Sequence, residues 1–312
     1  MLSDRAEFVP PGAREQLIAP TLRLALRLAL KPGLAPRVSI ALQRSWLRHV
    51  SRATCPAKFV DVEAGTIGGV TGDWLRPRSP STITKSNATI LYLHGGYYCL
   101  GSPATHRAIT SHLAQRAGLP VFAASYRLAP EHPFPAAVED ATAAYRGLIE
   151  RGPVVIAGDS AGGGLALATS LALRKHHVGA PAALILFSPW VDLTLSANSA
   201  KEPKGEAMLS IAMLNACASH YLAAADAASP LASPIYGDLQ GLPPTLIQAG
   251  TDELLHDQSV KLHHTLLEAG VAVRCEIVPG RWHVFQLHAG MLPSADAAIE
   301  RATDFILRSI AA

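Results

Sequence analysis

Cysteine is scarce in this sequence of 312 residues, and its four occurrences are far apart. They form no CxxC pair and no spacing typical of metal ligands, so we expect reduced thiols and no metal site. This usage of cysteine favours a cytoplasmic location over an oxidising compartment. The four residues are Cys55, Cys99, Cys217 and Cys275.

Charge of one sign and long apolar runs are also lacking. The net charge of +3 is built from interspersed signs, and without a basic stripe a nucleic-acid partner is not expected. The first seven residues carry both signs and precede no apolar run, so they do not resemble a signal peptide. No uninterrupted apolar segment reaches the length of a membrane span, which argues against stable membrane insertion.

Apolar, strand-like runs alternate with helical patterns over most of the chain. This alternation predicts a mostly parallel sheet with helices on both faces. Ligands of such sheets bind at the carboxyl ends of the strands, so chemistry is expected just after each strand. The runs cover residues 88–93, 121–126, 154–157, 183–187, 245–249 and 271–278, and an antiparallel pair at 59–62 and 68–75 precedes them.

Two regions depart from this alternation. In residues 1–50, Leu22, Leu26 and Leu30 alternate with basic residues in an amphipathic helical pattern, and a second helix is predicted over 38–50. One interpretation of the region is a helical lid over a pocket. A membrane-surface helix and a helix that merely packs on the core are the alternatives. Residues 191–241 contain one predicted helix, at about 210–224, and are interpreted as an insertion over the strand ends.

The sequence Gly158-Asp159-Ser160-Ala161-Gly162 joins a β-branched run to a helical pattern. A strand that turns into a helix so abruptly needs small residues two positions before and after the turn, and both are glycine. Ser160 is then left at the tip of a nucleophile elbow. The helix N-terminus behind it offers N–H groups and a positive dipole end to a developing anion.

Other strand ends supply the partners that a serine nucleophile needs. Asp252 follows the run at 245–249 and His283 follows 271–278. His283 is expected to take the proton of Ser160, and Asp252 to orient the imidazole. The backbone N–H groups of a glycine turn after residue 93 and of the elbow are expected to stabilise the oxyanion; they are those of Gly95, Gly96, Tyr97 and Ala161.

Several residues compete for these roles. Glu253 and Asp257 also follow the strand that ends at Ala249, and Asp257 is the alternative to Asp252, which comes first after the turn. Among the other histidines, His94 is interpreted as a brace for the glycine turn. Asp159, inside the elbow, is interpreted as structural.

The chain resembles the α/β-hydrolases of the hormone-sensitive-lipase type, the bacterial carboxylesterases with an HGG oxyanion loop. Matching positions run from about residue 88 to 290. One departure is Tyr97, where the family often has a third glycine, so the phenol is expected to narrow or line the pocket. The matching motifs are His94-Gly95-Gly96, YRLAPEHPFPAA at 126–137, GDSAGG at 158–163 and DELLHD at 252–257.

The resemblance implies an α/β-hydrolase fold with a mostly parallel eight-stranded sheet, flanking helices and a helical cap. It divides the chain into 1–50, the N-terminal part of the cap; 51–190 and 242–312, the catalytic domain; and 191–241, an insertion that contributes to the cap. It also implies hydrolysis of small-molecule carboxylic esters, with short to medium acyl chains and no cofactor. The candidate pocket residues are Leu22, Leu26, Leu30, Tyr98 and Trp282.

Other activities remain open at this level. An amidase or a lactone-directed hydrolase would use the same triad. A ligand-binding receptor on a hydrolase scaffold and a lipase acting at membrane interfaces are further alternatives. The strand at 271–278 is expected at the edge of the sheet, where pairing with a second copy would give a homodimer.

Overall fold

The computed structural model describes residues 7–8, 15–78, 86–195 and 202–311. Within these ranges the strands are β1 (Glu7–Phe8), β2 (Val60–Ile67), β3 (Val70–Pro77), β4 (Thr89–Leu93), β5 (Val121–Ala124), β6 (Val154–Asp159), β7 (Ala183–Phe187), β8 (Thr245–Gly250) and β9 (Val273–Val278). The α-helices are α1 (Glu15–Ala25), α2 (Lys31–Gly33), α3 (Ile40–Val50), α4 (Arg107–Ala117), α5 (Ala136–Ile149), α6 (Ala161–Lys175), α7 (Ile211–Leu222), α8 (His256–Glu268) and α9 (Pro293–Ala311).

The strands form one sheet in the order β1-β9-β8-β7-β6-β4-β5-β3-β2. All neighbours from β1 to β5 pair in parallel, and only the hairpin β2–β3 and its junction with β5 are antiparallel. The predicted mostly parallel sheet of eight strands, β2 to β9, is therefore confirmed. The short strand β1 extends it by two residues.

The expectation of an open edge at the last long strand is wrong. Glu7 and Phe8 of β1 pair with Glu276 and Ile277 of β9. The sequence pattern could not reveal β1, because a two-residue strand has no detectable period. The free backbone groups on which the predicted homodimer rested are therefore partly occupied at this edge.

The centre of the sheet is the core of the molecule. Every residue of β4, β5, β6, β7 and β8 is buried, as expected for parallel strands with helices on both faces. Helix α4 packs against α9, and α5 packs against α6. Helices α4, α5, α6, α8 and α9 account for the helical patterns that alternate with the predicted strands.

Residues 15–53, here called the N-terminal segment, are helical except for a non-helical connection at 34–39. Helix α1 runs into a π-helical stretch at Leu26–Leu30 and then into α2, while Ser39 caps α3 by accepting a hydrogen bond from the N–H of Leu42. Arg44 of α3 donates to the carbonyl oxygens of Cys99 and Ala129 and pairs with Glu131. The segment is thus tied to the loop that follows the glycine turn. None of the described helices is long and apolar enough to cross a bilayer.

Candidate active site

Ser160 stands at a sharp turn between β6 and α6. Its φ of 54° and ψ of −122° lie in a region that non-glycine residues rarely adopt. A Cβ atom on Gly158 would overlap the carbonyl oxygen of Gly162, and one on Gly162 would overlap that of Leu93. The strained residue is fixed from both sides, because its N–H donates to Phe187 and its carbonyl accepts from Trp190, each at 2.8 Å. The sequence thus folds here as the elbow motif predicts.

His283 follows β9 and faces a buried carboxylate. Its Nδ1 lies 3.5 Å from Oε1 of Glu253, and both side chains are almost fully buried. The other oxygen of Glu253 accepts hydrogen bonds from the hydroxyl of Ser188 at 2.8 Å and from the N–H of Gly250 at 3.0 Å. The Ser188 hydroxyl in turn accepts from the N–H of Val284, beside His283. Ser188 therefore links the loop that carries Glu253 to the loop that carries His283.

The expectation that Asp252 lies beside His283 is wrong. Asp252 turns toward the N-terminal segment, where its Oδ2 lies 3.0 Å from Nη2 of Arg23. Its Oδ1 accepts from the hydroxyl of Thr251. Asp257, the alternative, is exposed on α8. Successive residues of the turn after β8 point in different directions, so the order of acids after a strand does not tell which one faces the histidine.

One sequence signal could have identified Glu253. Of the acids after β8, Glu253 is the one that two leucines follow directly, which indicates a buried position. In the structure Glu253, Leu254 and Leu255 are all buried. Ser188 was also missed, although it comes directly after β7, where chemistry is expected in such sheets.

The expected oxyanion donors divide into two groups. The N–H of Gly95 donates to Oδ1 of Asp159 at 3.0 Å, so its assignment as an oxyanion donor is wrong. Gly96 and Tyr97 line the same cavity as Ser160. Within the described residues, the N–H groups of Gly96, Tyr97 and Ala161 donate to no protein acceptor. These three remain available to an anion next to the serine.

Asp159 organises a buried polar network under the elbow. Besides Gly95, it accepts from the hydroxyl of Tyr92 at 2.7 Å, and its Oδ2 lies 3.2 Å from Nε2 of His106. Burial raises the pKa of Asp159, but the charge and hydrogen bond of His106 and the hydroxyl of Tyr92 more than offset this, and the pKa is lowered. Burial lowers the pKa of His106, but the charge and hydrogen bond of the Asp159 carboxylate raise it by more, so the net shift is upward. The two side chains thus form a buried ion pair.

His94 supports the glycine turn in a neutral form. Burial lowers its pKa to about 3. Its ring stacks on Tyr126 with centroids 4.4 Å apart, and the Tyr126 hydroxyl donates to the His94 carbonyl oxygen. These contacts agree with the interpretation of His94 as a brace and of Asp159 as structural.

Ser160 and His283 line one apolar cavity of about 230 Å³. The three predicted leucines, Leu22, Leu26 and Leu30, are in its wall, together with Met208 and Leu209 of the insertion. Two other expected pocket residues do not line it. Tyr98 stacks on Tyr221 at 3.8 Å between centroids, and Trp282 is buried beneath the guanidinium of Arg23.

A second buried carboxylate, that of Glu206, joins the insertion to the loop that carries Glu253. Glu206 accepts hydrogen bonds from the N–H groups of Met208, Leu209 and Leu254. Burial raises its pKa, while His283 acts in the opposite direction. No motif singled out this residue, since it stands alone in a region without periodicity. Among the described residues, no three His, Cys, Asp or Glu side chains form a group that could hold a metal ion.

The chain is similar to known esterases over most of its length. A protein-family model described as an alpha/beta hydrolase fold matches residues 90–287. An acetyl-hydrolase of Streptomyces hygroscopicus is 47% identical over 246 residues, which are 77% of this chain and 81% of that protein. The solved structure of an esterase/lipase from an uncultured bacterium superposes with a TM-score of 0.87 at 38% identity, covering 95% of this chain and 99% of that chain.

A hormone-sensitive lipase from a metagenome library gives the same TM-score, 0.87, at 33% identity, and the match covers 97% of this chain and all of that one. The structural matches therefore cover nearly the whole chain, whereas the family model covers residues 90–287, which include the elbow. The chain belongs to the α/β-hydrolase family and, within it, to the hormone-sensitive-lipase type.

Proposed function

We propose that this protein is a serine carboxylesterase that works through a covalent acyl-enzyme, with Ser160 as nucleophile, His283 as general base and Glu253 as the acid that orients the base. The observation that carries the proposal is the meeting of Ser160 and His283 in one cavity, with the ring Nδ1 of His283 turned toward a buried carboxylate. The proposal replaces Asp252 by Glu253 and keeps the order serine, acid, histidine along the chain.

The chain is a carboxylic ester hydrolase. Its family and the names of its relatives, such as the acetyl-hydrolase and an esterase of Acinetobacter venetianus that is 35% identical over 297 residues, agree on this class of reaction. The triad and the range of substrates belong to the proposal.

In the proposed mechanism, Nε2 of His283 takes the proton of the Ser160 hydroxyl as its oxygen attacks the ester carbonyl carbon. Glu253 holds Nδ1 and stabilises the imidazolium that forms. The negative charge on the carbonyl oxygen is met by the N–H groups of Gly96, Tyr97 and Ala161. His283 then returns the proton to the departing alcohol, and a water molecule releases the acid from Ser160 in a second, equivalent step.

The size of the cavity supports short to medium acyl chains. At about 230 Å³ it is smaller than the range typical of drug-sized ligands, which is roughly 300–1,000 Å³. We propose that Leu22, Leu26 and Leu30 form the acyl wall. The name of the acetyl-hydrolase relative is consistent with a small acyl group.

The test is hydrolysis of p-nitrophenyl esters from short to long acyl chains by the wild type, Ser160→Ala and a control, Ser125→Ala, whose side chain is exposed. We expect Ser160→Ala to lower kcat at least about 1,000-fold and the control to leave it unchanged. Activity should peak at short chains. A Ser160→Ala variant that keeps its rate within about tenfold would overturn the mechanism, and a peak at long chains would overturn the substrate range.

Two further expectations remain part of the proposal. A reducing, cytoplasmic location rests on the scattered cysteines, none of which is disulfide-bonded. A homodimer stays a prediction, although β1 occupies part of the edge on which it was based.

A further inference from the structure

The N-terminal segment exposes most of the large apolar side chains at the surface of the described protein. Leu17 is 82% exposed, Leu28 71% and Leu42 63%. Monomeric proteins rarely gather such side chains in one place without a partner. Of nine exposed large apolar residues, six lie within residues 15–50 and three elsewhere: Leu17, Ile18, Leu24, Leu28, Leu42 and Trp46 against Phe59, Val62 and Tyr236.

Five of these six form what we call the outer patch: Leu17, Leu24, Leu28, Leu42 and Trp46. Leu17 and Leu24 are seven positions apart and so share one face of α1, and Leu28 follows on the π-helical stretch. Leu42 and Trp46 are four apart on α3. The indole Nε1 of Trp46 donates to the carbonyl oxygen of Ala29 at 2.9 Å, which brings the two sets together beside Leu28.

The same segment is strongly basic. Residues 15–53 contain seven lysine and arginine residues and one acid, Glu15, which is buried. Arg23, Lys31 and Arg44 are used in ion pairs to the rest of the protein. Arg37, Arg48 and Arg52 are exposed and have no ion-pair partner among the described residues.

The active-site cavity opens beside the outer patch. Ala25 and Ala29 line the cavity and are also exposed, so they stand at its rim. Their neighbours in sequence are Leu24 and Leu28. An ester held in an apolar layer against the patch would therefore have a short path to Ser160.

We infer that the outer patch, together with the exposed arginines of the same segment, docks on the surface of an anionic lipid bilayer. Exposed leucines and a tryptophan on a segment that also carries unpaired arginines are the features of helices that lie in a membrane interface. Anionic headgroups would be attracted to each free arginine. A second copy of the chain is the less suitable occupant, because an isologous contact through this face would bring the same excess of positive charge together.

The test is co-sedimentation of the full-length protein with vesicles of phosphatidylcholine alone or mixed with phosphatidylglycerol. We expect binding to the mixed vesicles that weakens with added NaCl, and at least about tenfold weaker binding to the neutral ones, since each arginine near an anionic surface is worth about fivefold. No binding, or equal binding to both, would overturn the inference. Because the readout is sedimentation, its failure is independent of the proposed esterase mechanism.

Matched variants locate the surface. Leu24→Ser with Leu28→Ser should weaken binding at least about tenfold, whereas Phe59→Ser with Val62→Ser, exposed apolar residues outside the segment, should not. Arg48→Glu with Arg52→Glu should also weaken vesicle binding at least about tenfold. Its control, Arg151→Glu with Lys175→Glu, makes the same change in net charge at other exposed positions.

All four variants should hydrolyse a soluble short ester at the wild-type rate, which reports on folding, because none of the changed residues lines the cavity. Equal losses in a variant and its control would overturn the inference. So would a dimer in solution that the Leu24→Ser and Leu28→Ser changes dissociate, if the protein did not bind vesicles.

Discussion

The floor and the roof of the cavity are built in different ways. The floor consists of the turns after β4, β6, β8 and β9, which carry the glycine turn, Ser160, Glu253 and His283. Its polar groups are buried and are held by hydrogen bonds to one another. The roof is the N-terminal segment, which contributes leucines to the wall. It is attached through one buried ion pair, Glu15 with Arg281, and through partly exposed pairs such as Arg23 with Asp252. We therefore expect the floor to determine the chemistry and the roof to determine access and size.

Asp252 and Glu253 test this comparison most directly. They are adjacent in sequence, but Asp252 contacts the roof through Arg23, whereas Glu253 belongs to the floor. Glu253→Gln should lower kcat about 1,000- to 10,000-fold, as loss of the orienting carboxylate does in other serine hydrolases. Asp252→Asn should stay within about threefold, since a partly exposed ion pair contributes little. Steady-state kinetics with p-nitrophenyl acetate would measure both. The reverse order of effects would restore Asp252 as the catalytic acid.

Asp252 and Glu253 also show which parts of the site could be predicted from the sequence and which could not. Ser160 was predictable because the strand-to-helix turn requires small residues at two fixed positions, and Gly158 and Gly162 supply them within five residues of chain. The sheet was predictable for a similar reason, since each buried strand is an apolar run. The acid was not, because the direction of a side chain in an irregular turn depends on which distant groups surround it. For Glu253 these are Ser188 and His283.

The oxyanion loop was misjudged at Gly95 for the same physical reason. Its N–H is taken by Asp159, which lies 64 positions later in the chain. Tyr98 and Trp282 were expected in the pocket because they adjoin site residues in sequence, yet each is buried against other partners. Helical periodicity, which depends only on spacing, put Leu22, Leu26 and Leu30 on one helix face, and the family resemblance placed that face over the pocket.

Asp159 tests whether the floor acts as a unit. Asp159→Asn would remove the anion that pairs with His106 and fixes the N–H of Gly95, and the neighbouring donors of Gly96 and Tyr97 would lose their position. We expect kcat to fall about 100-fold, the typical effect of losing one oxyanion donor, with KM little changed. Asp73→Asn, which breaks the more exposed pair with Arg107, is the control and should stay within about twofold. Equal effects of the two would show that Asp159 does not position the N–H groups of Gly96 and Tyr97.

The buried ion pair between Asp159 and His106 should make the stability of the protein depend on pH. The pKa of His106 is raised, so the stability that its charge provides is lost as the pH rises through that folded-state value. The pKa of Asp159 is lowered, so its contribution is lost as the pH falls through its own folded-state value. Between these limits Asp159→Asn should unfold about 3 kcal/mol more easily. Urea unfolding across pH measures this, and the difference from the wild type should shrink at alkaline pH.

The outcome that contradicts this account is a constant difference at all pH values. His94 cannot produce the alkaline change, because its pKa of about 3 keeps it neutral throughout that range.

The roof should control chain length without changing the chemistry. Leu22 lines the cavity, and Leu24 on the same helix points outward. Leu22→Trp should lower kcat/KM for an octanoyl ester about tenfold by filling space, while acetyl ester hydrolysis stays within about twofold. Leu24→Trp is the matched control and should not alter the ratio between the two substrates. If both variants changed the ratio equally, the effect would belong to the helix as a whole and not to the wall of the cavity.

The smallest effect is expected where the roof meets the floor. Arg23 pairs with Asp252 and also donates to the carbonyl oxygen of Gly280 at 2.6 Å, so one guanidinium touches the loops that carry Glu253 and His283. Arg23→Ala should lower kcat/KM about three- to fivefold, mainly through KM, since a partly exposed pair contributes up to about 1 kcal/mol. Arg48→Ala, exposed and without an ion-pair partner in the described chain, is the control. A double-mutant cycle with Asp252→Asn should give a coupling energy that decreases with added NaCl. A loss of 100-fold or more, carried by kcat, would mean that Arg23 belongs to the floor, and the division between the two regions would have to be redrawn.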